Sequence, residues 1–246
     1  MSSAFFWGLV AASSLIVGGL LASRVTLGKR TLGVIMGFGA GVLLSAAAYE
    51  LVFEAVRLAK GSGFPALGFF AGAFTFFFAD LLIGRMGSTQ GGTAGAADQS
   101  TLVVPLVLGI ILDGIPESVV IGLGVLEGGA VSLAMLVAVF ISNIPEAAAS
   151  TAGMRAGGWS RANILLLWLA IALVCAVASA AGYALLGDVS RFGLSVVQAF
   201  AGGAILMMLA NTMIPEAYER AGKLAGVFTV FGFAVSVSII VLEHAT

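Results

Sequence analysis

TLVVPLVLGIILDGIPESVVIGLGVL, residues 101–126, decides the fold class. It is an unbroken apolar run long enough for the roughly 20 residues that a bilayer core demands, and its only ionisable groups are two carboxylates, Asp113 and Glu117. Four positions apart, they share one face of a helix. Pro116 donates no backbone hydrogen bond, so the carbonyl of Leu112 one turn earlier is freed beside them. A freed carbonyl next to two carboxylates is an oxygen cluster suited to a cation.

Outward from this stretch the same composition continues. Of 246 residues, 60% are hydrophobic and 9% are charged, and mean hydropathy is +1.13. Soluble domains carry about 25% charged residues, so a water-facing surface cannot be built from this chain. Apolar spans are expected at 4–23, 32–58, 63–86, 101–126, 129–154, 162–186, 193–219 and 224–243. The expectation is an all-α polytopic membrane protein of about eight helices, one transmembrane domain over 1–246. Span 4–23 is read as a helix and not as a leader, because no basic residue precedes it and its run exceeds a usual signal core. The Gly-, Ala- and Ser-rich stretch 87–100 reads as a flexible linker.

Charge orients the spans. Alternating loops place Arg24, Lys29, Arg30, Arg85, Arg155, Arg161, Arg220 and Lys223 on one side, against Arg57, Lys60 and Arg191 on the other. The positive-inside rule makes the first side cytoplasmic. Both termini and the cell (inner) membrane's outer face then coincide, and the linker is cytoplasmic. A net charge of −1 gives nucleic acid no electrostatic basis for binding. The single Cys175 excludes an intramolecular disulfide, and its small apolar character reads as packing.

Two internal similarities stand out. Residues 41–55, GVLLSAAAYELVFEA, align without a gap with 203–217, GAILMMLANTMIPEA. DGIPES at 113–118 matches SNIPEA at 142–147. By span parity each pair runs in opposite directions, the inverted-repeat character with which many secondary transporters build a midplane site.

Seven carboxylates fall inside the expected spans: Glu50, Glu54, Asp80, Asp113, Glu117, Glu146 and Glu216. Each costs a few kcal/mol near a helix centre, and no Lys or Arg is expected at comparable depth. A mobile cation, metal or proton, is then what neutralises them. In the fifth span Ser142 and Asn143 precede Glu146 by about one turn, and Pro145 frees the carbonyl of Ile141. Face to face, the fourth and fifth spans could surround one ion with Asp113, Glu117, Ser142, Asn143 and Glu146. Glu50, Glu54, Asn211 and Glu216 read as pathway or proton-relay groups, and Asp80 as a group near the cytoplasmic interface. His244 reads as part of a solvated tail, and Met207, Met208 and Met213 as packing. The chain carries no Walker loop or nucleophile elbow, so an enzyme is not expected, and no cofactor beyond the ion as cargo.

The Pro-Glu motifs of consecutive helices resemble the ZIP (Zrt/Irt-like) family of divalent metal transporters. That family carries His-Asn-x-Pro-Glu in its fourth helix, where Asp113-Gly114-Ile-Pro-Glu117 stands here, with Asp113 replacing the usual His. Ser142-Asn143-Ile-Pro-Glu146 occupies the place of the family's fifth-helix motif. The resemblance implies a metal site between the two helices near the membrane centre. It also implies transport toward the cytoplasm, a sliding bundle of helices and, often, a homodimer in the lipid bilayer. Without the His, an oxygen-only shell suits harder ions such as Mn²⁺ or Mg²⁺, while carboxylates also bind Fe²⁺ and Zn²⁺. A membrane protein of the same fold that does not transport, either a metal-binding sensor or a structural protein, is the second reading of the same residues.

Overall fold

The computed structural model describes residues 1–25, 27–90, 103–128 and 131–245. Among them it contains helices and no strands, and eight helices are long and apolar enough to cross a bilayer. These are α1 (Ser2–Arg24), α2 (Lys29–Leu58), α3 (Phe64–Gln90), α4 (Val103–Gly128), α5 (Leu133–Ala156), α6 (Arg161–Leu186), α7 (Arg191–Ala221) and α8 (Lys223–Ala245). The polytopic all-α architecture expected from hydropathy is what the structure has. Most helix ends lie one to four residues from the expected ones, and two of these shifts change a reading. Helix α3 continues to Gln90 and takes the first four residues of the expected linker; the remainder, 91–100, lies outside the described residues. Helix α8 runs to Ala245, so the backbone of His244 is helical and not a tail.

The outer faces of the helices are apolar. Phe70, Phe74 and Phe78 on α3, Leu166 and Val177 on α6, and Val227 and Val230 on α8 are all exposed. In water such a surface would be untenable; against lipid tails it is the ordinary solution. The helix contacts, by contrast, are made by small residues, which let backbones approach closely where no hydrophobic driving force separates helix from lipid.

Those contacts define an internal two-fold in which α1 corresponds to α6, α2 to α7, α3 to α8 and α4 to α5. The pair α2–α8 matches the pair α7–α3, and α1–α5 matches α6–α4; all four pack extensively. Gly41 of α2 faces the Thr229 carbonyl of α8, and Gly232 of α8 faces the Phe38 carbonyl of α2. In the other pair Gly203 faces the Phe69 carbonyl, and Gly72 faces the Phe200 carbonyl. Gly41 and Gly203 are matching positions of the repeat seen in the sequence, and Phe38 and Phe200 continue its register three residues earlier. Helices α2 and α7 also cross antiparallel. Gly33 lies against Arg220 and Ala221, while Gly202 lies against Leu51 and Val52.

Helices α1, α4, α5 and α6 form one four-helix group, and α2, α3, α7 and α8 the other, joined chiefly where α2 meets α5. Both α2 and α7 loosen into π-helix near their middles, at Ala47–Phe53 and Leu209–Met213. Ala47 and Leu209 are again matching positions. A π-segment rotates the side chains that follow it and is frequent at functional sites; here it re-aims Glu50 and Glu54 on one helix and Thr212 and Glu216 on the other.

Candidate metal pathway

Two cavities enter the bundle from opposite ends. The first, about 530 Å³, lies among the end of α2, the second half of α4, the start of α5 and the end of α8. The second, about 430 Å³, lies among the end of α3, the first half of α4 and the second halves of α5 and α7. Their linings correspond through the two-fold. Glu50, Leu51 and Glu54 of the first match Thr212, Met213 and Glu216 of the second. Val120, Ile121 and Gly124 match Ala149, Ser150 and Gly153; Ile240 and Glu243 match Asp80 and Ile83; Gln198 matches Met36. The repeat in the chain thus becomes a pair of inverted vestibules.

The level between them is closed. On α4, Asp113 lines the second cavity and Val120 the first; Glu117 sits between, lines neither and is 2% exposed. On α5, Ser142 and Asn143 are likewise buried, between Met135 of the first cavity and Glu146 of the second. Pro116 and Pro145 both lie inside their helices at this level.

Asp113 and Glu146 reach across from α4 and α5 to within hydrogen-bonding range of each other. Asp80 and Glu216 act electrostatically on Asp113, and Glu117 and Glu216 act on Glu146. The second cavity therefore ends on a concentration of negative charge, which in a low-dielectric wall attracts and retains cations. Glu117 goes further: its Oε2 is buried and has no hydrogen-bond partner. A buried carboxylate oxygen left alone is costly, so this position calls for a proton or a bound cation. Among the described residues no three His, Cys, Asp or Glu side chains stand close enough together to hold a metal. The paired Asp113 and Glu146 lie at the cavity floor, Glu117 one turn beyond, and Ser142 Oγ donates to the Val139 carbonyl at 3.1 Å.

Two expectations need correcting. Glu54 and Glu216 are not without cations. Arg57 Nε lies 3.0 Å from Glu54 Oε2, and Arg220 Nε donates to Glu216 Oε1 at 3.1 Å. Both arginines belong to the same helical turn region as their partners, so they reach back from the span ends into the vestibules. Asn211 is exposed and lines neither cavity, because the π-segment of α7 turns Thr212 inward in its place.

One lining group escaped the sequence reading. Glu243 accepts from the backbone N–H of Leu133 and, at 3.4 Å, from that of Ala134. Ser132 Oγ donates to Glu50 Oε1 at 2.6 Å and accepts from Met135 N at 3.2 Å. Glu243 and Ser132 together cap the start of α5 inside the first cavity. The signal available was weak, a lone acid closing an apolar run. Glu243→Ala is expected to lower stability by about 1 kcal/mol, the usual cost of losing a helix cap, read as a reduced unfolding midpoint in detergent.

No protein-family model matches the chain. A stretch of 94 residues is 35% identical to the Homo sapiens protein zinc transporter ZIP11, covering 35% of this chain and 26% of that relative's own length. The chain is therefore similar over part of its length to a zinc transporter, and its eight apolar helices make it an all-α, multi-pass membrane protein.

Proposed function

We propose that the chain carries divalent metal ions across the bilayer, through a site built on Asp113, Glu117 and Glu146 between α4 and α5. The observation that carries this reading is Glu117, a fully buried carboxylate with an unpartnered oxygen, set between two inverted vestibules and one turn from the Asp113–Glu146 pair. The partial likeness to a zinc transporter supports the same conclusion. Ser142 and Asn143 add neutral oxygen ligands from α5.

In this mechanism an ion enters the first vestibule past Glu54 and Glu50. It is passed to Glu117, where it replaces the lost hydration with carboxylate and carbonyl oxygens. It then leaves past Asp113, Glu146 and Glu216 through the second. The cytoplasmic end is the second, by the eight-to-three excess of basic residues near it. The two π-segments and the two helix groups offer the rearrangement that would open one vestibule while closing the other. Proton exchange at the vacated carboxylates would restore the unloaded state.

The test is uptake by proteoliposomes of the full chain across Zn²⁺, Fe²⁺, Mn²⁺, Cd²⁺ and Mg²⁺. Saturable uptake of at least one ion is expected. Binding of an ion without flux would select a non-transporting metal-binding protein, a reading that the closed layer between the cavities keeps in view.

A further inference from the structure

Ser132, just before α5, is bonded to both helices of the other group that end at the first vestibule. Its Oγ donates to Glu50 Oε1 of α2 at 2.6 Å and lies 3.3 Å from Glu243 Oε2 of α8. Glu243 in turn accepts from the N–H groups of Leu133 and Ala134 in the first turn of α5. Helix α5 belongs to the group of α1, α4 and α6, so each of these hydrogen bonds crosses between the two helix groups. The other end is built differently. Through the two-fold, Glu243, Ser132 and Glu50 correspond to Ile83, Val103 and Thr212, and neither Ile nor Val has a side-chain donor or acceptor. The charges that face one another across the boundary there are alike. Asp80 and Glu216 of one group act on Asp113 of the other, and Glu216 acts on Glu146, with Arg220 offsetting part of the Glu216 charge. Between the two ends the groups meet on small side chains, as where Gly39 of α2 lies against the backbone of Ser142.

An inverted repeat gives a molecule two states exchanged by its two-fold, and departures from that symmetry decide which is favoured. We propose that Ser132, Glu50 and Glu243 form a latch that ties the two helix groups together at the first vestibule and biases the protein toward the state with that end drawn in. Charge-assisted hydrogen bonds pull the groups together at the first end, while like charges hold them apart at the second. Opening the first end exchanges these bonds for bonds to water, and each one lost shifts the balance between the states by about tenfold. The latch rests on the transport reading above for what the two states accomplish, whereas its presence can be read without any ion.

The test is the distance between spin labels in the full chain, reconstituted without added metal. Because the chain holds a single cysteine, a Cys175→Ala background leaves only the introduced labels. Ser2→Cys with Lys60→Cys spans the two groups at the first end, and Arg155→Cys with Lys223→Cys spans them at the second; all four positions are exposed. Ser132→Ala is expected to raise the share of a longer Ser2–Lys60 distance at least about tenfold relative to the short one, and to shorten the Arg155–Lys223 distance. Glu50→Ala should do the same. It removes the acceptor on α2 but leaves the Ser132 and Glu243 cap of α5 in place, so it separates the latch from the cap. A lowered unfolding midpoint with both distance distributions unchanged in the two variants would make the cluster a helix cap alone and overturn the latch. Shifted distances in a protein whose parent takes up no ion would leave the latch standing and overturn the transport reading.

Discussion

Reconstituted Glu117→Gln and Glu146→Gln proteins are expected to take up divalent metal at least about tenfold more slowly than wild type, while folding about as well. The two halves of this expectation have separate causes. The amide keeps the volume and the oxygen acceptor but removes the charge that holds a cation, and loss of even an outer-shell partner of a metal costs 10- to 100-fold. Stability is expected to change little, because in the unloaded protein the buried Glu117 oxygen already calls for a proton, and the amide reproduces the size and polarity of the neutral acid. The stabilisation that metal confers on wild type, about 2.7 kcal/mol at a hundredfold excess over Kd, should vanish in both variants. Glu54→Gln and Glu216→Gln are different, since each carboxylate already has an arginine. Their uptake should fall less than about threefold. Flux unchanged in both Glu117→Gln and Glu146→Gln would remove the site from α4 and α5.

How much of this was legible in the chain depends on the range of the interaction concerned. The spans were legible because the bilayer imposes one length on every helix, and 112–118 and 141–147 announced themselves by Pro and Glu one residue apart. The repeat of α2 and α7 was legible as a gapless alignment, and the structure adds its consequence in matched glycines and matched π-segments. The π-segments themselves left no mark, since Ala47–Phe53 contains neither Gly nor Pro. Hence Asn211, and not Thr212, was the residue expected to face the pathway. Arg57 and Arg220 sit three and four positions after their carboxylates, a spacing that favours pairing. They were nevertheless assigned to loops because span ends are uncertain by a turn. The contact of Cys175 with Gly114 was out of reach, because only a three-dimensional arrangement brings residues of α6 and α4 together.

The second large effect concerns the fold's own symmetry. Gly41→Ala is expected to lower stability by about 2 kcal/mol or more, a fall of roughly 4–8 °C in unfolding midpoint for a chain of this size. An added Cβ would sit 1.9 Å from the Thr229 carbonyl oxygen and 2.8 Å from Phe233 N. Both are backbone atoms, so no rotamer change can yield and the α2–α8 pair must part. Gly203→Ala should cost a similar amount, because its Cβ would meet the Phe69 carbonyl oxygen at 2.0 Å in the α7–α3 pair. Gly226→Ala provides the control: nothing lies within 4 Å, and the substitution should leave stability unchanged or raise it by about 0.5–1 kcal/mol. Double variants then read the architecture. Gly41→Ala with Gly203→Ala acts on two separate interfaces and should be additive. Gly41→Ala with Gly232→Ala acts on one interface, where the first separation already makes room for the second methyl, and should cost clearly less than the sum. Equal additivity in the two double variants would mean that the reciprocal glycine contacts do not hold α2 against α8.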